Sequence, residues 1–323
     1  MVRLPTEAEP DGTPPAATVH PSASWAESGP GIRSHRPWHQ RWSVYLELTK
    51  PRITALVLVT TALGFFLGGM GIDAWPVLLW TLTGTALVVS GSGALNQYLE
   101  RDVDRLMVRT RQRPLPAGRV SLESAISFGF VLVLAGVFVL LLGAGLLTAF
   151  LALLSSFLYV VVYTPLKRST WLNTSLGAIP GALPPVGGWA AAAGQLDWGA
   201  WALFLILFAW QHPHFYSIAW IFREDYRRGG LQMLPVVEPD GARTARHVVA
   251  FCVVLAVASL LPVLLGLTGG IYLAGALVLG GAMIAAGVGL AVARTPASAR
   301  LLLRASVLYL PLLLALCVGD ATF

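Results

Sequence analysis

Long apolar stretches, interrupted at intervals by short polar segments, run along most of this 323-residue chain. Each stretch approaches the roughly 20 apolar residues that a helix needs to cross a hydrocarbon core of about 30 Å. Nine such stretches can be placed, at residues 53–71, 77–97, 124–142, 145–163, 175–193, 199–221, 248–266, 270–293 and 301–319. The pattern therefore predicts an all-α integral membrane protein built as a bundle of nine transmembrane helices.

The first 40 or so residues do not share this pattern. They are rich in Pro, Ser, Gly and Glu without apolar periodicity, a composition typical of disorder. We therefore predict a disordered cytoplasmic tail at residues 1–42, followed by one transmembrane domain at 43–323. The tail contains no apolar signal region, so we expect no cleaved secretory leader.

Composition agrees with a membrane location, because 56% of the residues are hydrophobic and only 12% are charged. The lipid bilayer is accordingly the first expected partner. Cys252 and Cys317 both lie within apolar stretches and form no C-x-x-C arrangement. A disulfide framework, a zinc site and covalent haem attachment are therefore disfavoured.

The basic residues indicate the orientation of the chain. All 22 Lys and Arg residues fall in the N-terminal segment or in alternate connections, at 98–123, 164–174, 222–247 and 294–304. The intervening turns and the C-terminus contain Asp73, Asp197 and Asp320 instead. The positive-inside rule then predicts a plasma (inner) membrane protein with a cytoplasmic N-terminus and its C-terminus on the opposite side. Topology explains the positive charge, so no nucleic-acid partner is expected.

Three polar residues mark the end of the second predicted span. If this helix continues past its apolar part, Asn96, Glu100 and Asp104 recur every four residues and share a face within an arc of about 80°. Mg²⁺ prefers a few carboxylate oxygens together with waters and substrate phosphates. The spacing therefore predicts a site for a Mg²⁺-bound diphosphate.

Basic residues follow this face at once. Arg109 and Arg113 carry guanidinium groups that can grip phosphate at two points, and Thr110 adds a hydroxyl. The alternative is an ordinary cytoplasmic loop whose charges merely obey topology. Topology does not, however, require regularly spaced Asn96, Glu100 and Asp104 at a helix end.

A second polar cluster begins at Trp210, within the sixth predicted span. Pro213 would loosen the helix beside His212 and His214. Asp225 follows just after the end of this span. Either histidine could be a satisfied core residue. In the alternative, one of them touches a porphyrin, as an iron ligand or an edge contact, while Asp225 completes the magnesium site. Periodicity does not decide between these interpretations.

At these segments the sequence resembles the haem-directed branch of the intramembrane, UbiA-type polyprenyltransferase superfamily. The matching stretches are N-x-x-x-E-x-x-x-D-x-x-M-x-R-T-x-x-R-P-L at 96–115, Y-T-P-L-K-R at 163–168, N-T-x-x-G-A-x-x-G-A-x-P-P-x-x-G-W at 173–189, W-Q-x-P-H-F at 210–215 and R-E-D-Y-x-x-G-G-x-x-M-L-P-V at 223–236. The first motif indicates only the superfamily, and the later ones indicate the branch. The likeness covers roughly residues 45 to 320.

The resemblance implies transfer of a farnesyl group from farnesyl diphosphate to a vinyl group of haem b, with water adding to give a hydroxyethylfarnesyl side chain. It also implies a nine-helix bundle whose central polar cavity opens to the cytoplasm, and a downstream haem A synthase as a partner. Alternatives are another membrane polyprenyltransferase acting on an aromatic or quinone precursor, and a transporter, which the lack of an evident inverted repeat disfavours.

The resemblance further implies a role for each candidate residue. The Mg²⁺ ligands and catalytic residues would be Asn96, Glu100, Asp104 and Asp225, with Lys167 as a further catalytic residue. The diphosphate would be bound by Arg109, Thr110, Arg113 and Arg168, and the haem by Trp210, His212 and His214. The rings that stabilise the carbocation would be Tyr163, Tyr216 and Tyr226. In one respect the chain departs from many members. Asp225 has no acid four residues away, so the usual second D-x-x-x-D motif is incomplete.

Overall fold

The computed structural model describes residues 38–69 and 74–321. The predicted tail lies outside these residues up to position 37, and so does Asp73 in the first turn. The first described helix begins at Trp38, a few residues before the predicted end of the tail at 42.

Helices make up the regular structure of this part of the chain. They are α1 (Trp38–Leu48), α2 (Pro51–Leu67), α3 (Trp75–Leu106), α4 (Leu122–Gly143), α5 (Leu146–Phe157), a π-helix (Leu158–Tyr163), α6 (Thr164–Leu166), α7 (Asn173–Ala193), α8 (Trp198–Ile221), α9 (Arg223–Arg228), α10 (Leu234–Val237), α11 (Ala242–Ala258), α12 (Leu261–Leu264), α13 (Gly270–Ala293) and α14 (Pro296–Gly319). Among the described residues, extended pairing is limited to a bridge between Thr268 and Ala321. The all-α prediction is confirmed.

Six helical segments in the two described ranges are long and apolar enough to cross a membrane, and a seventh joins them if the bent pair α1 and α2 forms one span. The chain is therefore a multi-pass membrane protein, with fewer spans by this criterion than the nine predicted. The helices α7 and α8 are not among the six. Their prolines and polar residues lower their hydropathy, and more than half of the residues of each are buried against other helices.

Glycines allow α3 and α4 to pack backbone to backbone. A Cβ added to Gly91 would lie 2.5 Å from the carbonyl oxygen of Gly129, and one added to Gly136 would lie 2.6 Å from that of Gly84. Small residues permit such close approach between helices in membranes. This packing fixes α3 along most of its length, so that its C-terminal turns hold their side chains in defined positions.

A π-helix interrupts the segment between α5 and α6. The hydroxyl of Thr164 donates to the carbonyl oxygen of Tyr159, five residues earlier, at 2.8 Å. Single π-helical turns often occur at functional sites, because the extra residue per turn redirects the side chains that follow. Here Thr164 and Lys167 contact Asn96 and Glu100 of α3, and Tyr163 lies beside Lys167.

The break between α1 and α2 is fixed by contacts with the rest of the chain. Gln97 donates from Nε2 to the carbonyl oxygen of Leu48 at 3.1 Å, and Arg119 pairs with Glu47 at 2.7 Å. Lys50, in the break, has a φ of 51°. A residue with a Cβ adopts this left-handed conformation at an energetic cost, so the surrounding contacts must hold it there.

Candidate active site

The C-terminal turns of α3 carry the predicted acid face. The helix continues to Leu106, as the four-residue spacing requires, and Asn96, Glu100 and Asp104 lie on successive turns of one side. Asp104 is fully buried, and the side chain of Glu100 is only 12% exposed. Acidic groups this deep need partners, because an isolated buried charge is strongly unfavourable.

Lys50 is the partner of Asn96. Its Nζ donates to Oδ1 of Asn96 at 2.6 Å, and Nδ2 of Asn96 donates to the hydroxyl of Thr164 at 3.0 Å. The break between α1 and α2 and the segment after the π-helix therefore meet at one amide. Both ends of that amide are held in place.

Lys167 is the partner of Glu100, with Nζ 2.6 Å from Oε1. The same ammonium lies 4.4 Å from the ring centroid of Tyr163, within the range of a cation–π contact. Burial alone lowers the pKa of Lys167, but Tyr163 and the Glu100 carboxylate outweigh burial and raise this pKa above its usual value. The ammonium therefore stays charged.

Arg113 is the partner of Asp104. Its Nη1 donates to both carboxylate oxygens, at 2.9 and 2.8 Å. Thr110 instead donates from its hydroxyl to the backbone carbonyl of Asp104, at 3.1 Å, which folds the loop after α3 back over the helix end. Of the predicted diphosphate ligands, Arg113 thus lies on the acid face itself and Thr110 lies buried beside it.

Asp225, on α9, reaches this region from the other motif. Its carboxylate accepts from the backbone N–H groups of Val108 and Arg109, both at 3.3 Å, and lies 3.5 Å from the guanidinium of Arg228. These contacts join the carboxylate to the loop backbone and to its own helix. Asp225 therefore fastens α9 to the loop that follows α3.

The donor chemistry of the acid face fits a divalent cation. Asn96, Glu100 and Asp104 offer amide and carboxylate oxygens, which are the ligands Mg²⁺ takes when it also keeps waters and substrate phosphates. A metal site closed by protein side chains alone is not found among the described residues. Within residues 38–69 and 74–321, no three His, Cys, Asp or Glu side chains lie together as a metal-holding group. The face thus matches an open site that a diphosphate would complete.

The remaining predicted diphosphate ligands lie farther from the acid face. Arg109 is exposed, donates to the hydroxyl of Tyr226 at 3.3 Å and lies over that ring at 5.6 Å. Arg168 is also exposed and belongs to none of the ion pairs of the described residues. Arg109 and Arg168 therefore differ from Arg113 and Lys167, which are already engaged with carboxylates.

The segment after α9 closes over the site. The backbone N–H of Gln232 donates to the carbonyl oxygen of Lys167, and Nδ2 of Asn173 donates to the carbonyl oxygen of Gln232, both at 2.8 Å. Gly229 packs against Val103, where an added Cβ would come within 3.0 Å of the valine side chain. Gly229 thus allows the chain to lie close against α3, and Gly230 next to it has a positive φ of 67°.

His212 is fully engaged by its neighbours. Its Nδ1 donates to the carbonyl oxygen of Phe208 at 2.8 Å, so Nε2 is left to accept from the hydroxyl of Ser175 at 3.0 Å. The ring stacks on Phe251 with 3.5 Å between centroids. Both nitrogens and one face are therefore occupied, as in a satisfied core histidine.

His214 is held in a different way. The hydroxyl of Ser306 donates to the carbonyl oxygen of Leu303 at 2.8 Å, so it accepts from Nδ1 of His214 at 2.9 Å. This arrangement places the proton on Nδ1 and leaves the Nε2 lone pair without a partner among the described residues. Trp210 stacks on the ring at 4.6 Å and donates to the backbone carbonyl of Ser306 at 2.8 Å.

The three candidate carbocation-stabilising tyrosines lie in three different surroundings. Tyr163 adjoins Lys167, and Tyr226 adjoins Arg109. Tyr216 is buried in the main core beside His212, with 6.1 Å between ring centroids. Only Tyr163 is in direct contact with a residue of the acid face or its cations.

Sequence reasoning missed Lys50, Thr164 and Ser306. Lys50 precedes a proline at the start of a span, where a basic residue looks like an ordinary topological anchor. Ser306 is a small hydroxyl residue in an apolar stretch, where nothing local distinguishes it from a packing residue. Thr164 lies within the Y-T-P-L-K-R motif, but the motif alone assigns it no role. Each acquires its role through a contact with a residue distant in sequence.

Comparison with known proteins adds to this geometry. A model of the UbiA prenyltransferase family matches residues 57–310. The chain is 50% identical over 285 residues to a protoheme IX farnesyltransferase of Solibacter usitatus, covering 85% of this chain and 98% of that protein. It is 48% identical over 277 residues to a protoheme IX farnesyltransferase of Salinibacter ruber, with the same two coverages.

Solved structures share the fold. A digeranylgeranylglyceryl phosphate synthase structure superposes with a TM-score of 0.73 at 16% identity, covering 87% of this chain and 98% of that one. A UbiA homologue from Archaeoglobus fulgidus bound to DMAPP and Mg²⁺ gives a TM-score of 0.61 at 18% identity, covering 85% and 98%. At these identities the likeness concerns the fold alone.

Proposed function

The chain belongs to the UbiA prenyltransferase family, and we propose that it transfers a farnesyl group from farnesyl diphosphate to a vinyl group of protohaem IX (haem b), giving haem O. Two relatives at 50% and 48% identity, both named protoheme IX farnesyltransferases, support this choice of substrates. The observation in the structure that carries the proposal is the acid face of α3, where two carboxylates and an amide meet three cations.

The acid face and its cations form the donor site. Mg²⁺, held by Asn96, Glu100 and Asp104 together with Asp225 from α9, would supply electrophilic polarisation of the leaving diphosphate. Lys167 and Arg113 neutralise negative charge that develops on the diphosphate oxygens as the allylic C–O bond weakens. Cations preorganised for charge that appears in the transition state accelerate the reaction itself.

In this proposal the diphosphate is also bound by Arg109, Thr110 and Arg168. The guanidinium groups of Arg109 and Arg168 are exposed and form no ion pair with a carboxylate in the described part of the chain, so they can bind a phosphate without first breaking such a pair. Arg113, by contrast, has to exchange a carboxylate for a phosphate. Thr110 keeps the loop in place, since its hydroxyl is bound to the backbone of α3.

Besides the two substrates, the reaction needs only one water molecule to balance. The C–O bond of the farnesyl group breaks and the diphosphate leaves with the bonding electron pair, while the vinyl π electrons of haem form the new C–C bond. Water then adds its oxygen to the resulting cation and loses a proton, which leaves the hydroxyl of the product. Aromatic faces stabilise such cations, and the Tyr163 ring beside Lys167 is the best placed of Tyr163, Tyr216 and Tyr226.

The histidine region forms the acceptor side in this proposal. His214 keeps a free Nε2 lone pair and stacks on Trp210, so it can contact the porphyrin as an iron ligand or at its edge. His212 has both nitrogens engaged and instead supports the packing of α8 against α7 and α11. Of the two candidate histidines, we therefore assign the haem contact to His214.

We also propose nine membrane crossings, with α7 and α8 crossing as interior helices whose polar residues face protein. This arrangement surrounds a central polar cavity open to the cytoplasm. It places the charged end of α3 and the N-terminus on the cytoplasmic side of the inner membrane, with the C-terminus opposite. Haem O produced there could pass to a haem A synthase.

Mass spectrometry of extracted haems tests the proposed function. The chain is expressed in a host that makes haem b but lacks haem O, and the Asp104→Asn variant at matched membrane content is the control. We expect a new haem whose mass exceeds that of haem b by one farnesyl group plus one hydroxyl group, from the parent chain only. Correctly inserted protein that yields haem b alone, or a haem with another increment, would contradict the assignment of acceptor and donor.

A further inference from the structure

The ring of Tyr163 lies directly against the backbone of α7. A Cβ atom added to Gly177 would come within 2.5 Å of Cε2 of the tyrosine and 2.7 Å of its Cζ. The centroid of the same ring lies 4.4 Å from Nζ of Lys167 and 5.7 Å from the ring centroid of Tyr159. Tyr163 therefore contacts both its own helical segment and a glycine of the next long helix.

The backbone of Tyr163 is fixed independently of this contact. The π-helix ends at Tyr163, and the hydroxyl of Thr164 donates to the carbonyl oxygen of Tyr159 at 2.8 Å. The same hydroxyl accepts from the amide of Asn96 at 3.0 Å. With the backbone held to α3 in this way, the position of the ring depends on what its far end meets, and that is Gly177.

A side chain at position 177 would displace the ring and not the helix. The atoms that a Cβ would meet are Cδ2, Cε2 and Cζ of Tyr163, which can move by rotation about the bonds of the side chain. Gly188 on the same helix differs, because a Cβ there would meet the backbone carbonyl of Thr61 on α2. The fold should therefore tolerate alanine at position 177, with the ring moved from its rotamer.

The need for glycine at position 177 comes from this contact. Glycine inside a helix is less stable than alanine, because its backbone loses more conformational freedom on folding. The same helix contains Gly187, where no heavy atom of the described residues, apart from the adjoining chain, lies within 4 Å of an added Cβ. Close packing is thus a property of the face that meets Tyr163 and does not extend all round α7.

We propose that Gly177 is a positioning residue for prenyl transfer, because the space that it leaves holds the ring of Tyr163 beside Lys167. The inference rests on the proposed function, in which this ring stabilises the allylic cation. Lys167 neutralises the departing diphosphate, and the cation and the diphosphate form from the same bond. A ring kept beside Lys167 therefore lies where positive charge appears, and moving it by about 1 Å would weaken its effect strongly.

Gly177→Ala tests this placement, and Gly187→Ala on the same helix is the matched control. Each variant of the full-length chain is reconstituted in lipid nanodiscs with Mg²⁺ and farnesyl diphosphate. Slow hydrolytic release of diphosphate is measured without haem b, and formation of haem O is measured with it. Circular dichroism reports whether each variant is folded.

The expected result is a loss of turnover without a loss of binding. In Gly177→Ala the turnover number of both reactions should fall roughly tenfold, the size of one desolvated cation–π contact. The KM for farnesyl diphosphate should stay within about twofold of the parent, since the ring acts on a cation that exists only as the bond breaks. Gly187→Ala should match the parent in both quantities.

Tyr163→Leu distinguishes a displaced ring from damage to α7. Leucine removes the ring, so a Cβ at position 177 no longer meets the atoms that it would displace. We expect Tyr163→Leu to lower turnover at least as much as Gly177→Ala does, and the double variant to match Tyr163→Leu within about twofold. A merely structural effect of the alanine would reduce turnover again in the double variant.

Three activity results would overturn the inference: unchanged turnover in Gly177→Ala, a loss carried by KM alone, or a second full loss when the alanine is added to Tyr163→Leu. An unfolded Gly177→Ala variant would also overturn it, because the clash would then fall on the helix and not on the ring.

Failure of the inference is distinguishable from failure of the proposed function. If haem O forms but positions 163 and 177 are not coupled, only the inference is wrong. If diphosphate release shows the coupling and no haem O forms, the donor site stands and the acceptor assignment is wrong. If the parent chain yields neither product, both are wrong.

Discussion

The acid face of α3 and the histidine region of α8 solve the problem of burying polar groups in opposite ways. On the acid face, charged side chains from distant segments pair with one another, as Lys167 does with Glu100 at 2.6 Å. In the histidine region the groups are neutral. His212 and His214 are held by backbone carbonyls and hydroxyls, so no charge needs to be compensated.

This difference sets how each region can respond to a ligand. Removing one partner of a buried ion pair costs about 3–5 kcal/mol, since the other charge is left uncompensated. Losing a neutral hydrogen bond costs only about 0.5–1.5 kcal/mol. A charged ligand can therefore rearrange the acid face by exchanging partners, whereas the histidine region has little to exchange and remains fixed. The first arrangement suits a diphosphate with its metal, and the second suits a rigid, largely apolar acceptor.

The largest expected effect comes from removing a charge on the acid face. Asp104→Asn keeps the shape of the buried side chain but removes the anion that holds Arg113 and binds metal. We expect haem O formation in membranes to fall by about a hundredfold or more, the loss typical of one preorganised electrostatic group. Product is quantified by mass spectrometry at equal membrane content of protein.

Asp102→Asn is the matched control for this prediction. It makes the same substitution two positions away, on a side chain that is 63% exposed and lies 3.6 Å from Arg101. Its turnover should remain within about twofold of the parent, as expected of a surface pair worth little energy. Comparable losses in both variants would mean that the helix end, and not the buried charge, matters.

The acid face was predictable because its signal is local. The recurrence of Asn96, Glu100 and Asp104 depends only on α3 continuing beyond its apolar part, and the helix does continue to Leu106. Its cations were partly predictable, because Arg113 follows closely in the chain. Lys50 was not, since its contact spans 46 residues and depends on a left-handed backbone that no sequence pattern predicts.

The histidine region was harder to interpret from sequence. Two histidines around Pro213 predict a polar spot in the membrane, but which one is free depends on Ser175 and Ser306, on other helices. The span count shows the same limit. Apolar stretches predict nine crossings, whereas α7 and α8 fall outside the hydropathy criterion because their polar and proline residues lower their mean hydropathy.

The next effect separates the two histidines. His214→Ala should lower the affinity for haem b by roughly a hundredfold. Loss of a hydrogen bond that supports a metal ligand lowers affinity by about 10–100-fold, and loss of the ligand itself should lower it at least as much as the upper value. His212→Asn, which leaves a side chain able to donate to Phe208, should keep haem affinity near the parent value while lowering the unfolding temperature. Haem titrations in nanodiscs, followed by absorbance, give both affinities.

Binding of farnesyl thiodiphosphate is the control for the histidine variants, and it should not change in either. The reverse result, with haem affinity lost in His212→Asn and kept in His214→Ala, would show that the free lone pair of His214 is not the haem contact. A loss of both ligands in either variant would indicate damage to the fold.

The smallest effect sharpens the comparison most, because it removes a single neutral hydrogen bond. In Ser306→Ala, Nδ1 of His214 loses its acceptor, so the proton is free to move to Nε2 and the ring is free to turn. We expect haem affinity to fall roughly tenfold, the lower end of outer-contact effects on a metal ligand. The absorbance and electron paramagnetic resonance of bound haem should also change, while Ser306→Thr, which keeps the hydroxyl, should restore them. The backbone carbonyl of residue 306 still accepts from Trp210, so the stacking ring should stay in place.

Ser259→Ala, which breaks a buried hydroxyl contact with Tyr309 on the same helix as Ser306, is the matched control. If it alters the haem spectrum as much as Ser306→Ala does, the effect is one of packing, and the fixed tautomer of His214 has no part in it.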